Sequence, residues 1–185
     1  ILASLFVGYC FRYWKKDKFD INFRETNFNS KETPIKVSQL GEILGNSIKN
    51  SIFSLLSIGG FIVLFSVILA LLTDSGIINI ISNILEKVGI QKNISASIIT
   101  GLLEITNGIS LLSNSYNTFP LLSILLTSFL LGFGGISILF QVYSIISKEK
   151  ISIKPYIYGK FLQGIFSVIF TFISIIIQYV TKNYN

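Results

Sequence analysis

The sequence contains no histidine, no methionine and a single cysteine, Cys10. The chain therefore offers no disulfide framework, no His or Cys metal cluster, and neither a Cys-His nor a Ser-His-Asp catalytic arrangement. We expect no enzymatic activity, no catalytic residue, no metal site and no resident cofactor.

Charged residues are also scarce, at 13% of the chain against 51% hydrophobic residues. The mean hydropathy is +0.68, and no charge occurs in residues 50–73, 105–147 or 161–181. Long uncharged apolar runs are typical of membrane spans or re-entrant segments. The sequence therefore predicts an all-α polytopic membrane protein. Because the chain begins inside an apolar stretch, 1–11, we interpret it as the C-terminal part of a longer protein.

The charge pattern divides the chain into segments. Residues 1–14 end in an aromatic-then-basic run and predict the end of a transmembrane helix, and the polar residues 15–34 predict a cytoplasmic loop. A transmembrane domain is expected over 35–181, with a short tail at 182–185. Within it we expect amphipathic helices at 35–49 and 77–89, and spans or re-entrant segments at 50–72, 94–113, 119–147 and 156–181.

Basic residues predict which loops face the cytoplasm. Seven of them lie between Arg12 and Lys36, and three more are Lys148, Lys150 and Lys154. Cytoplasmic loops carry such an excess, so both loops are placed on that side, which requires an even number of crossings between them. Three apolar segments lie there, so one is expected to enter and leave on the same side. Re-entrant segments of this kind are found in channels and transporters.

The pattern Gly-Gly-x-x-x-Leu-Phe occurs twice, at 59–65 and again at 134–140. Repeats of opposite topology build many secondary transporters, so the pattern favours an inverted repeat. The alternative is a chance match in a chain rich in these residues, with the glycines serving helix packing.

The segment 101–108, GLLEITNG, contains the strongest candidate site. An ionisable group at bilayer depth costs roughly 3 kcal/mol or more and normally faces a cavity. Flanking glycines let a helix unwind and free backbone groups for a cation or a polar substrate. We therefore predict that Glu104, Thr106, Asn107 and Gly108 line a substrate or ion pathway. A structural, hydrogen-bonded glutamate is the alternative.

The segment 132–137, GFGGIS, is the second candidate. Its glycines predict a broken helix, and the amide of Gln141 follows it closely. Gly134, Gly135 and Gln141 are expected to face Glu104 across the pathway; tight packing is the alternative.

Lys160 lies near the cytoplasmic end of the last span. It either attracts an anionic substrate or extends to lipid phosphates. The net charge of +6 is carried by residues that flank the spans. This arrangement predicts anionic lipid as a partner and no nucleic acid.

These motifs resemble, in order and spacing, the C-terminal half of the sporulation integral membrane proteins of the YlbJ family, also called SpoVV. The shared segments are the span 57–68, GLLEITNG at 101–108, GFGGIS at 132–137 with Gln141, and YGK at 158–160. That family carries the nucleoside-recognition gate domain and is related to concentrative nucleoside transporters. The resemblance covers residues 35–181 and implies a gate-domain bundle with broken or re-entrant helices.

The resemblance implies a transporter that moves dipicolinic acid across the outer forespore membrane, needed for maturation of the spore cortex and core. At the positions that match the family motifs, Glu104, Thr106 and Asn107 would line the substrate or coupling-ion site. The opposing element would be formed by Gly134, Gly135 and Gln141. A dianionic substrate beside Glu104 implies a coupling cation or proton.

Other functions stay open. A nucleoside or other small-solute transporter would use the same site residues. A non-transporting assembly protein of the sporulation membrane would need no polar residues inside its spans. The sequence decides neither the oligomeric state nor the direction of transport.

Overall fold

A computed structural model describes residues 1–12, 37–147 and 152–184. These residues form helices joined by short turns, and no strand occurs among them. The helices are α1 (Leu2–Phe11), α2 (Val37–Asp74), α3 (Ile77–Lys87), α4 (Lys92–Leu103), α5 (Ile105–Ser115), α6 (Pro120–Phe133), α7 (Gly135–Ile146) and α8 (Lys154–Tyr184).

Three apolar helical runs are long enough to cross a membrane: Leu40–Asp74, Pro120–Ile146 and Lys154–Asn183. The second run comprises α6 and α7 together. Most large apolar side chains on α2 and α8 are exposed, as lipid-facing side chains are. The predicted class, an all-α polytopic membrane protein, is confirmed.

The two segments expected at 35–49 and 50–72 form one helix, α2. No proline or left-handed residue separates them, so the helix continues for about 57 Å at 1.5 Å per residue. It ends before Gly76, whose φ of 76° begins the turn into α3. The last helix also runs further than expected, to Tyr184. The loop predicted at 15–34 lies outside the described residues.

The apolar segment 94–113 folds back on itself instead of continuing as one helix. The helices α4 and α5 pack against each other in opposite directions and meet at Glu104. Gly108 lies so close to Gly101 that a Cβ on it would clash with the Cα of Gly101. We call this unit, residues 92–115, the helical hairpin.

The segment 119–147 is one apolar run broken between α6 and α7 at Gly134. The first half, α6, packs antiparallel to α8, where Gly132 meets Gly164. The second half, α7, leaves α8 and packs against α2 and α4. The break therefore sends the two halves of one membrane run to different partners.

The two copies of the Gly-Gly-x-x-x-Leu-Phe pattern differ in local structure. Gly59 and Gly60 lie inside the continuous α2, whereas Gly134 and Gly135 have φ of 89° and 77° at the break. The phenylalanines that end the two copies, Phe65 and Phe140, contact each other with ring centroids 5.8 Å apart. The inverted repeat stays a prediction.

Candidate functional site at the tip of the helical hairpin

Four helix ends meet at the tip of the hairpin: the end of α4, the start of α5, the end of α6 and the start of α7. A Cβ built on Gly135 would lie 3.2 Å from the carbonyl oxygen of Gly101, and 3.4 and 3.5 Å from those of Leu102 and Leu103. The hairpin tip therefore lies directly against the break in the α6–α7 run. We call this meeting place, residues 101–107 and 132–137, the junction.

Glu104 is the residue at which the hairpin turns. Its backbone is extended, with φ of −141°, and its side chain is 1% exposed. The carboxylate accepts hydrogen bonds from the backbone N–H of Thr106 at 3.0 Å and of Asn107 at 2.8 Å. It therefore caps the N-terminus of α5, where the helix dipole also favours a negative charge.

The cap leaves part of the carboxylate available. Two oxygens offer about four acceptor positions, and the cap uses two of them. Beside the carboxylate, the last carbonyl groups of α4 also carry partial negative charge, because a helix C-terminus leaves them without amide partners. The junction thus brings together backbone and carboxylate oxygens, which are the ligands that hard cations prefer.

Thr106 and Asn107 are exposed in the first turn of α5. The Asn107 amide Nδ2 lies 3.4 Å from Ser66 Oγ on α2, so α2 also borders the junction. Gly108 is buried against Gly101 and the Ser97 carbonyl oxygen, and it sets the close approach of α4 and α5. In the structure Gly108 is thus a packing residue of the hairpin.

Gly134 ends α6 by donating its N–H to the Leu130 carbonyl oxygen at 2.7 Å. Among the residues that the structure describes, no side chain caps the start of α7, which begins at the next residue. The first amide groups of a helix without such a cap attract anions and polar groups. The start of α7 therefore adds positive potential to the junction.

Gln141 lies further along α7 than the junction, and Lys160 lies on α8 beside the end of α6. Gln141 is half-buried and lies about 9 Å along α7 from Gly135. The two hydrogen bonds that the Glu104 carboxylate accepts come from backbone N–H groups and not from Gln141. Lys160 on α8 is half-buried, and its Nζ donates to the Gly132 carbonyl oxygen at 3.4 Å. Lys160 thus supports the end of α6.

Sequence reasoning missed two groups that contact predicted site residues: Ser66 Oγ, beside Asn107, and the carbonyl oxygen of Gly132, which accepts a hydrogen bond from Lys160. Ser66 is a polar residue within an apolar span, which is a weak signal because serines are common there. No group of three or more His, Cys, Asp or Glu that could hold a metal ion occurs in the part of the chain that the structure describes.

Non-helical backbone at membrane depth persists only where it is buried in protein or lines a cavity. Fold and junction therefore define a polytopic all-α membrane protein with broken helices. The Gate family model, described as nucleoside recognition, matches residues 55–150, just over half of the chain. The chain belongs to this family.

A curated relative supports the same assignment. The chain is 34% identical over 135 residues to the sporulation integral membrane protein YlbJ of Bacillus subtilis (strain 168). The alignment covers 71% of this chain and 33% of that protein, so the chain spans about a third of the length of its relative. The resemblance inferred from the sequence motifs is confirmed. No solved structure matches the chain.

Proposed function

We propose that the chain is the substrate-binding part of a membrane transporter of sporulating bacteria, and that its cargo is dipicolinic acid, moved across the outer forespore membrane. The junction is the observation that supports the transporter proposal. A buried carboxylate and four helix ends meet there, at the break in the apolar α6–α7 run. The sporulation context comes from the name of the relative, and the cargo from the family resemblance.

The charges of the junction suggest how a dianion is held. The uncapped start of α7 attracts a carboxylate of the substrate, whereas Glu104 repels it. A cation between Glu104 and the substrate, or a proton on Glu104, removes that repulsion. Oxygens of Glu104 and of the last carbonyl groups of α4 would hold such a cation. Thr106, Asn107 and Gln141 supply neutral hydrogen bonds to the substrate.

A nucleoside or other small neutral solute is the second candidate cargo. The description of the family model, nucleoside recognition, favours it. A neutral cargo needs no cation to offset repulsion by Glu104. A non-transporting assembly role is the third candidate, because Glu104 also serves as a helix cap.

The test uses a strain that carries the full-length protein with Glu104→Gln, after an immunoblot shows normal accumulation. Dipicolinate is measured in the spores and in the mother cells. We expect spores that lack dipicolinate while the mother cells retain it. Glu86→Gln, on the exposed surface of α3, is the matched control and should leave spore dipicolinate normal.

Two results would contradict the proposal at different levels. Normal spore dipicolinate in Glu104→Gln would remove Glu104 from the pathway. Normal spore dipicolinate after deletion of the whole gene would reject dipicolinate as the cargo, and uptake of labelled nucleosides by vesicles containing the protein would then be measured.

A further inference from the structure

A cavity lies away from the junction, between the end of α5 and the start of α6. Its volume is about 410 Å³, which falls within the range of small-molecule sites. We call it the α5–α6 cavity. The apolar part of its wall comes from Ile109, Leu112 and Ile124, and the hydroxyl groups come from Ser113, Tyr116, Ser123 and Thr127.

Ser123 is the residue of this wall whose hydroxyl group is available for a hydrogen bond to a ligand. It is 3% exposed, and its hydroxyl has no hydrogen-bond partner among the described residues. Ser128, five residues further along α6, contrasts with it because its hydroxyl contacts Thr171 Oγ1 at 2.6 Å. A buried hydroxyl without a partner destabilises the protein, so a ligand that accepts a hydrogen bond from it gains that interaction.

The cavity lies near one surface of the membrane. Pro120 begins the apolar run of α6 and α7, and Ser123 and Thr127 follow within about 10 Å along the helix. Tyr116, an exposed residue of the wall, is of a type enriched at the boundary between headgroups and hydrocarbon. The cavity is therefore at the depth where acyl chains join the headgroup region.

The wall of the cavity contains no charged residue. A phosphate group or an ammonium group would lose its hydration there without a partner. A long apolar chain with one uncharged acceptor fits the wall, because its apolar part covers the isoleucines and leucine and its acceptor pairs with Ser123. We propose that the α5–α6 cavity binds one acyl chain of a membrane phospholipid, and that its ester carbonyl accepts a hydrogen bond from Ser123 Oγ.

The first test maps the contact. Full-length protein is reconstituted in phosphatidylcholine vesicles with a trace of phosphatidylcholine that carries a photoreactive diazirine on one acyl chain. After irradiation, labelled peptides are quantified by mass spectrometry. We expect label on residues 109–127, and Ser113→Trp, which fills the cavity from its exposed rim, to reduce that label about fivefold. Ser110→Trp, exposed on α5 outside the wall, should not.

Labelling of the lipid-exposed Ile176 and Ile177 on α8 serves as the internal reference and should be equal in every variant. Equal labelling of residues 109–127 in Ser113→Trp and Ser110→Trp would overturn the proposal, since it would mean that the lipid touches only the outer surface.

The second test concerns the hydroxyl. Competition between ester-linked and ether-linked phosphatidylcholine is measured by the same labelling, because only the ester offers a carbonyl oxygen. We expect about a fivefold preference for the ester lipid, the size expected of one net hydrogen bond, and loss of the preference in Ser123→Ala. Ser82→Ala is the matched control, because Ser82 is also buried, has no hydrogen-bond partner within the described ranges and is not part of this wall. A preference that survives in Ser123→Ala would overturn the assignment of the hydroxyl.

Discussion

At the residue scale, Glu104 combines a structural task with a proposed functional one, and the two are separable. Both of its carboxylate oxygens accept backbone N–H groups at the start of α5. Glu104→Ala removes the cap, and we expect it to lower the stability of the full-length protein by about 1–2 kcal/mol. Glu104→Gln keeps one carbonyl acceptor and should lose less.

The stability of both variants is measured by thermal unfolding in detergent, and size-exclusion chromatography monitors the protein that remains folded. Equal stability of wild type and Glu104→Ala would contradict the cap. A Glu104→Gln protein that is stable yet inactive in transport would separate the charge of Glu104 from its cap.

Gly108 provides a second residue-scale prediction. A Cβ there would clash with the Cα of Gly101 and lie 3.1 Å from the Ser97 carbonyl oxygen, so Gly108→Ala must force α4 and α5 apart. We expect a loss of about 1–3 kcal/mol, as for overpacking elsewhere. Gly60→Ala in α2 is the matched control, because nothing lies within 4 Å of its Cβ position. Unfolding midpoints that agree for the two variants would show that the hairpin does not depend on this contact.

Glu104 was predictable from the sequence as a site residue, but the groups that contact the site were not. An acid within an apolar stretch is visible from composition, because the penalty for burying it is general. The cap was not visible, since glutamate is not among the residue types favoured at helix N-caps. The contact of Asn107 with Ser66 joins residues 41 positions apart, and no local pattern encodes it.

At the element scale, the break between α6 and α7 depends on two left-handed glycines. A Cβ on Gly134 would meet only the side chain of Ile138, 3.3 Å away at its flexible end, whereas a Cβ on Gly135 would meet the backbone carbonyl oxygens that end α4. A non-glycine residue in this region costs about 1–2 kcal/mol, and asparagine costs less. We therefore expect the loss of thermal stability to be smallest for Gly134→Asn, larger for Gly134→Val and largest for Gly135→Val. The reverse order would contradict the contact between the hairpin tip and α7.

Lys160 provides a second element-scale prediction, because its ammonium group donates to the last turn of α6 from α8. Lys160→Met keeps the apolar stem and removes the donor, so we expect a loss of about 1 kcal/mol. Lys160→Arg should recover most of it, since the guanidinium group is also a charged donor. Lys182→Met, at the exposed end of α8, is the control. Wild-type stability in Lys160→Met would show that the contact adds nothing.

The elements were only partly predictable. The break in 119–147 was predictable from its glycines, because glycine adopts left-handed backbone conformations with little strain. The fold-back of 94–113 did not follow from hydropathy, which measures the length of an apolar segment and not its direction. The Gly101–Gly108 contact, which allows the two helices to pack, becomes visible only once the fold is known.

At the scale of the whole molecule, the helix packing agrees with the count of crossings that basic residues require. By length and composition α2 and the α6–α7 run can each cross a membrane once, and the two helices of the hairpin pack against each other in opposite directions. Two crossings between the basic loops keep both of them on one side, as the charge pattern demands. The hairpin is thus the segment that we infer to be re-entrant.

This topology predicts which positions react with a membrane-impermeant maleimide. Cysteines at Lys92 and Asn117 lie at the two ends of the hairpin. In non-sporulating cells that carry the protein in the plasma membrane, both should be labelled from outside, whereas a cysteine at Lys154 should be labelled only after the membrane is opened. All three positions are exposed. The single-cysteine variants are made in full-length protein in which every other cysteine, including Cys10, is replaced by serine. Because α4 and α5 run in opposite directions, the Lys92 and Asn117 positions must share a side. Labelling of the two from opposite sides would mean that residues 92–115 cross the membrane, and the junction would then lose the hairpin on which the transport proposal depends.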